Sequence, residues 1–317
     1  MDIQIHEGVM HEQCSVLYRK DVRDEVKKLS GANPADLETL KQTLCEKRIA
    51  WYQKNRVVLG LNGGVGERKM DIKKVIDFEI NFPSKFADVV ERPYGKLFYN
   101  LDNSISHDSN HAVITDLSCD LDGALSDIES FYHEEGLSPR IYPAFLHGEE
   151  EILKPFLANH GFTYQKYDNL YFLWQEESKI IPNRKLEIKR LLEIDDQIIE
   201  IIRSEDKGDW TINVLKRNIQ RERFHFLAGY VQGKAVAIAS LNMTEGLSRV
   251  DDVVTHKNYR GQGFCSALIH YLVHYHSRIS ENLLYLYSAE PKAIKIYRKA
   301  GFVEFKDQLS SWSAWLE

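Results

Sequence analysis

Residues Tyr259–Leu268, YRGQGFCSAL, set Arg260 before two glycines, Gly261 and Gly263, that flank Gln262, and then open a helical pattern with small residues. A strand-like run, RVDDVVTH, precedes them. Glycines at such a turn let successive N–H groups converge on the first turn of the helix, where unpaired amides and the positive end of the helix dipole favour an anion. The missing side chains leave room for a phosphate, and Arg260 adds a cation. The chemistry implied is a phosphate or pyrophosphate cradle. Without a second signal, a glycine pair is an ordinary connector.

Other residues nearby have the right types for chemistry. Asp251 and Asp252 lie on the strand and, if it is regular, point to opposite faces, so that one at most faces a cleft. His256 ends the strand and reads as a surface residue. His270 and His274 are one helical turn apart, a spacing that can bind metal, but no Glu lies between them as in HExxH and no third ligand is evident. They read as a helix face, and no metal is expected. Cys265 has no evident base partner and reads as a small helix-start residue, not a nucleophile.

The elements that must position these residues follow from patterning. KLEIKRL alternates like a strand, DDQIIEIIRSE and INVLKRNIQRERF have helical spacing, and HFLAGYV and KAVAIASLNM form a hairpin about Gln232-Gly233. After the glycine turn come a long helix, FCSALIHYLVHYHSRI, a buried strand, LLYLYS, and a short helix, PKAIKIYRKAGF, stopped by Gly301; SSWSAWLE is expected to close the same sheet. The order is β-α-α-β-β-β-α-β-α-β, a mixed sheet with helices on both faces.

Three phosphate sites compete for this pattern. A P-loop needs Gly-Lys-Ser/Thr, but Phe264 and Cys265 follow Gly263. A dinucleotide fingerprint, as in a nicotinamide dehydrogenase, needs a third glycine where Ser266 stands, and the preceding elements are not βαβ. In the third, THKNYRGQGFCSALIHYL resembles the coenzyme A loop of the GNAT superfamily of N-acetyltransferases, Arg/Gln-x-x-Gly-x-Gly/Ala, through Arg260, Gly263 and position 265, where Cys265 replaces the usual Gly or Ala. Downstream, AIKIYRKAGF resembles the family's second signature through Ala293, Tyr297, Gly301 and Phe302. Glu290 stands where the family often carries asparagine. The resemblance spans roughly Lys185 to Glu317.

That resemblance implies acetyl-CoA as cosubstrate and direct attack by a primary amine, with no covalent enzyme intermediate. The pantetheine arm would lie along Val253, Val254 and Thr255. Pyrophosphate would lie on the loop formed by Arg260, Gly261, Gln262, Gly263, Phe264 and Cys265, with Glu290 as a further cofactor contact. The acetyl carbonyl would sit where the strand and LLYLYS part, under a backbone N–H. Tyr297 would be the proton donor to the leaving thiolate, with a core tyrosine as its alternative, and Asp251 or Asp252 the base, unless a water chain replaces both. The alternative function is a non-catalytic acyl-CoA-binding regulatory protein.

Composition is that of a soluble globular protein, 43% hydrophobic and 28% charged, and the 317 residues suffice for two domains. No apolar stretch is long enough for a bilayer and the start shows no secretory signal. Four scattered cysteines lack CxxC spacing. These features lead us to expect a reduced, cytoplasmic protein without a membrane partner. Net charge is −6, with +3 over 184–317 and −9 over the rest. That balance argues against nucleic acid and suits an amine acceptor, either a small molecule or a lysine-bearing chain.

WQEESKIIPNRKLEI marks the expected boundary, giving 1–178 and 184–317. The first half ends in a similar cadence. DGALSDIESFYHEEG and EEEILKPFLANHGF read as helices, RIYPAFL as a strand and TYQKYDNLYFLW as a hairpin, and Gly161-Phe162 precedes Gly301-Phe302 by 140 residues. The fold class expected is α/β (α+β), in tandem GNAT-like domains, each a mixed and mostly antiparallel sheet flanked by helices. The first would be degenerate. DLSCDLD, acidic and without paired glycines, holds the place of the cofactor loop, and Leu157 falls where Tyr297 would. Two such domains mimic a dimer, so a monomer or a homodimer is expected. GLNGGVGER at 60–68 reads as a mobile loop or hairpin, and LETLKQTLCEKRIAWYQKNR as a helix.

Overall fold

Strands Phe224–Val231 (β8) and Lys234–Met243 (β9) are almost wholly buried along their lengths, as their apolar runs require. They are joined at Gln232 and Gly233, both at positive φ, the geometry of a tight hairpin turn. The computed structural model describes residues 72–205, 209–306 and 308–317. The glycine-rich run at 60–68 and the helical run before it lie outside the described residues. Around β8 and β9 grows a seven-stranded sheet in the order β12-β6-β11-β10-β9-β8-β7. Its other strands are Leu170–Trp174 (β6), Glu187–Leu191 (β7), Leu247–Thr255 (β10), Leu283–Ser288 (β11) and Phe302–Glu304 (β12).

A second, six-stranded sheet runs β1-β2-β3-β4-β13-β5. It is built from Asp88–Arg92 (β1), Gly95–Tyr99 (β2), His111–Ile114 (β3), Arg140–Tyr142 (β4), Thr163–Tyr167 (β5) and Ser311–Trp315 (β13). Both sheets are mixed and mostly antiparallel, and they share one plan. Three antiparallel strands (β1-β2-β3, β8-β9-β10) lead to one parallel neighbour (β4, β11) and then to an antiparallel pair (β13-β5, β6-β12).

Helices Asp196–Arg203 (α4), Trp210–Asn218 (α5), Phe264–Ile279 (α6) and Pro291–Lys299 (α7) accompany the seven-stranded sheet. Leu121–Glu134 (α2) and Glu149–Asn159 (α3) accompany the other, and Ile72–Asn81 (α1) packs Val75 and Phe78 against Tyr171, Leu173 and Tyr285. α6 buries Phe264, Ala267, Leu268, Leu272, Val273 and His276, the i, i+3, i+4 stripe of its sequence. Gly301, at φ 95°, ends α7 where a Cβ would stand 2.0 Å from the Glu176 carbonyl oxygen, so only glycine closes that turn.

Two expectations are corrected. SSWSAWLE does not close the sheet of its own half: β13 lies between β4 and β5. Nor do β5 and β6 form a hairpin, because β6 crosses to the other sheet and lies between β11 and β12. The exchange has physical causes. Tyr171, Phe172 and Leu173 are all buried, at 2%, 0% and 3% exposure, so β6 requires a slot between two neighbours, while β5 is exposed and polar. The linking Asp168 and Asn169 also lack the positive φ of a two-residue hairpin turn. The short β12 carries the closing role expected of β13 only at the edge.

Candidate active site

β10 and β11 pair in parallel only as far as Arg249↔Tyr285, and then part. Beyond that point β10 keeps β9 as its partner, with a bulge: Asp251 faces Ser240 and Val254 faces Ile238, so three steps on β10 meet two on β9. Asp252 lies in the bulge at φ 50°. Strict alternation therefore fails here, and both Asp251 and Asp252 line a cavity of about 520 Å³, together with Val253 and Tyr297. The expectation that at most one of the two faces a cleft held only for a regular strand.

The cavity lies between the two sheets. Besides β10 and β11, which brings Tyr287, its walls include Asp108, His111, Tyr142, Tyr167 and Tyr171. Arg249, only 4% exposed, anchors the inner end. Its Nη1 donates to Glu79 Oε2 at 2.7 Å, its Nη2 pairs with Asp251, and its guanidinium lies 3.5 Å over the Phe82 ring. Tyr285 Oη donates to the other Glu79 oxygen at 2.6 Å. Burial alone would lower the Arg249 pKa, but Asp251 and Glu79 outweigh it and hold the guanidinium firmly charged. Asp252 accepts a 2.6 Å hydrogen bond from Ser240 Oγ. Tyr297 is 6% exposed, edge-on to Phe302, and burial, with the nearby Cys265 and Asp251 adding to it, pushes its phenol pKa up. The phenol is neutral at ordinary pH.

At its outer end β10 runs into a turn, Lys257–Tyr259, whose cap is His256. His256 is 5% exposed, not the surface residue expected, because its Nδ1 accepts the Asn258 N–H at 3.2 Å. Gly261 and Gly263 both have left-handed φ (77° and 78°), and a Cβ on either would meet nothing within 4 Å. The glycines are needed for backbone conformation, and the space above them is open. Gly263 is the N-cap of α6 and no side chain caps that end. Gln262 is exposed, while the Phe264 side chain is buried in the core under the turn. Cys265 touches Thr255, and burial raises its thiol pKa to about 11, so it is no thiolate nucleophile.

Other expected cofactor residues are placed differently. Val254 packs into the core around Ile198 and Ile201, away from the cavity that Val253 lines. Glu290 is exposed and caps α7 through the Lys292 N–H at 3.2 Å. Arg260 pairs with Glu205 and donates through Nε to the Thr255 carbonyl at 3.2 Å, so its charge is already engaged. His270 bonds Ser178 Oγ at 2.9 Å, and no group of three metal-binding side chains exists among the described residues.

Sequence reading missed Arg249, Glu79, Asp108 and Tyr142. Arg249 had a signal, an opposite charge two residues from Asp251 and so on the same face of a regular strand. Asp108 had none, since LDNSISHDSNH reads as polar loop.

With this geometry in hand, the comparisons become informative. Residues 222–304, from just before β8 to the end of β12, match the model of the acetyltransferase (GNAT) domain. No curated protein matches the chain. Among solved structures the chain is similar to a GCN5-related N-acetyltransferase from Kribbella flavida, with a TM-score of 0.58 and 15% identity over 78% of this chain and 95% of that one. It is also similar to a functionally unknown conserved protein from Staphylococcus epidermidis ATCC 12228, with a TM-score of 0.55 and 17% identity over 78% of this chain and 98% of that one. At these identities the likeness is one of fold, and the two sheets of shared plan are its tandem GNAT-like architecture. No described helix is long and apolar enough to cross a membrane.

Proposed function

We propose that this protein is an acetyl-CoA-dependent N-acetyltransferase with one cofactor site, in 184–317, and that 1–178 is a degenerate GNAT-like domain retained to wall the acceptor cavity. One observation carries the reading. The same strand, β10, parts from β11 at a cavity holding two carboxylates and a protonated phenol, and then feeds a left-handed glycine turn into an uncapped helix.

The residues fit the cofactor. The amides of Gln262 to Cys265 would receive pyrophosphate, and the free side of β10 near Val253 and Thr255 would receive the pantetheine arm. When bound, acetyl-CoA supplies an activated acetyl thioester. Asp252 takes a proton from the acceptor ammonium, directly or through water, and Asp251, neutralised by Arg249, holds the amine in line. The amine nitrogen would bond to the acetyl carbon as the carbon–sulfur bond breaks; Tyr297 would give its proton to the departing sulfur, and the surplus proton of the new amide nitrogen would pass through water to the tyrosinate, restoring the phenol. Glu290 and Val254 act on the fold. The free thiols of Cys119 and Cys265 suit a reducing, cytoplasmic setting.

Calorimetric titration with acetyl-CoA tests this reading, with wild type beside an Arg260→Glu/Gly263→Asp variant. Binding of one equivalent by wild type and none by the folded variant is expected. No binding by folded wild type overturns the enzyme reading.

A further inference from the structure

Buried polar side chains normally have hydrogen-bond partners. Five residues that line the cavity each carry a buried polar atom with no partner among the described residues: Thr211 Oγ1, Asn218 Oδ1, Asn242 Nδ2, Arg249 Nε and Trp312 Nε1. The chain brings three of them to one corner, at the inner end where Arg249 sits. Helix α5 ends at Asn218, and two successive turns carry it into β8. In these the Arg221 N–H donates to the Asn218 carbonyl at 2.9 Å and the Phe224 N–H to the Arg221 carbonyl at 3.1 Å. Phe224 is the cross-strand partner of Asn242, and Asn242 is that of Arg249. Asn218 and Asn242 are each 2% exposed.

Arg249 uses Nη1 on Glu79 and Nη2 on Asp251, which leaves Nε. The corner therefore offers two donors, Asn242 Nδ2 and Arg249 Nε, and one acceptor, Asn218 Oδ1. An amide has the matching inventory on separate atoms: a carbonyl oxygen with two lone pairs for the donors and an N–H for the acceptor. A carboxylate does not match. It has no proton for Asn218, and Glu79 and Asp251 already set two negative charges against one guanidinium. Spacing ties the corner to the reacting centre. Ser240, whose hydroxyl donates to Asp252, and Asn242 are alternate residues of β9, on one face and about 7 Å apart.

We propose that this corner binds an uncharged amide of the acceptor, so that the acceptor is an aminoalkyl amide. Its amide is held by Asn218, Asn242 and Arg249, and its amine, a few bonds away, is presented to Asp252. Buried polar groups without partners are costly, and an amine that lacks the amide leaves that cost in place; this difference is the source of selectivity. The assignment rests on the acetyltransferase reading for what happens to the presented amine, but binding of the amide itself does not depend on it.

The test is calorimetric titration of the full chain, alone and with excess coenzyme A. The probes are β-alaninamide, 4-aminobutanamide and 5-aminopentanamide, each beside the n-alkylamine of equal length and the corresponding ω-amino acid. In at least one of the two states, one amide should bind about tenfold or more tighter than both of its comparators, the worth of two or more neutral hydrogen bonds. Asn242→Leu and Asn218→Leu should each cut that preference by about threefold or more. Their melting temperatures should stay at or above that of wild type, because an apolar group replaces an unpartnered polar one. Absence of amine binding in both states, an amide that binds no tighter than its alkylamine or its amino acid, or a preference undiminished in either folded variant each overturns the proposal. An amide preference in a protein that does not bind coenzyme A would uphold this corner and sink the enzyme reading. Coenzyme A binding without an amide preference would do the reverse.

Discussion

The two sheets place a helix after equivalent strands, β3 and β10, and the helices start differently. α6 starts at Gly263, left-handed and without a side-chain cap, so its first amides face open space. α2 starts at Asp120, whose carboxylate accepts the Gly123 N–H at 3.1 Å. One start carries no side-chain cap, and the other has its own carboxylate. The helices before the terminal glycines also differ, with Tyr297 on α7 and Leu157, 1% exposed in an apolar core, on α3. On the proposed reading, one backbone plan supports a cofactor site in one sheet and a sealed scaffold in the other, and a handful of side chains decides which.

The largest effect should come from removing the phenol. Tyr297→Phe keeps the edge-on contact with Phe302 and loses only the proton donor. Turnover should fall by about 10²–10⁴-fold with acetyl-CoA affinity unchanged. Unchanged turnover would strip Tyr297 of the acid role and make it the core tyrosine that its burial also permits.

Nearly as large an effect is expected in folding, again on the β10 side. Glu79→Gln leaves the buried Arg249 with Asp251 alone, and breaking a buried pair costs about 3–5 kcal/mol. Denaturant unfolding of the variant measures the cost. A loss under about 1 kcal/mol would mean that water reaches Arg249. The Glu79-Arg249-Tyr285 ladder has no equivalent among the ion pairs described around β3.

The facing sheet has its own signature, a pH dependence. Burial lowers the His111 pKa to about 3, below the ordinary value of 6.5. Between those pH values the unfolded chain binds a proton that the folded chain refuses, so stability rises with pH across the window and falls on acidification. The slope from this group approaches about 1.4 kcal/mol per pH unit. His225, in the other sheet, is lowered by burial to about 4 and acts in the same direction over a narrower window. His111→Phe should flatten the acid limb of a stability-against-pH curve more than His225→Phe. Equal flattening would remove the contrast.

The capping difference can be probed directly by Asp120→Ala. The loss of the cap should cost about 1 kcal/mol. It should not create acetyl-CoA binding, because α2 still lacks the left-handed glycine turn that opens α6. Binding at the bared helix start would show that the cap alone silences the first sheet.

Legibility followed locality. The glycine turn, the Gln232-Gly233 hairpin and the helical stripes of α6 and α7 were readable because each is specified within a few residues by φ preference or period. The exchange of β6 and β13 was not, since it is settled by which sheet offers Tyr171, Phe172 and Leu173 a two-sided slot. The Asp251–Asp252 bulge was equally hidden, because an inserted residue leaves no mark on an apolar-polar pattern when both positions are Asp. Asp108 reaches the cavity only through the packing of one sheet against the other.

The smallest effect concerns Arg260, and it sharpens the contrast at the cofactor loop itself. The guanidinium pairs with Glu205 at the end of α4, a partly exposed pair worth under about 1 kcal/mol to the fold. That carboxylate sits beside a turn argued to attract pyrophosphate, so it competes for the same cation. Glu205→Gln should leave the melting temperature nearly unmoved, free Arg260 for the anion, and tighten acetyl-CoA binding by about two- to fivefold at low salt, with the gain fading as salt rises. Weaker binding in Glu205→Gln would mean that Glu205 holds Arg260 in its working orientation. The ion pair would then belong to the cradle as a support, with no counterpart at the Asp120-capped start of α2.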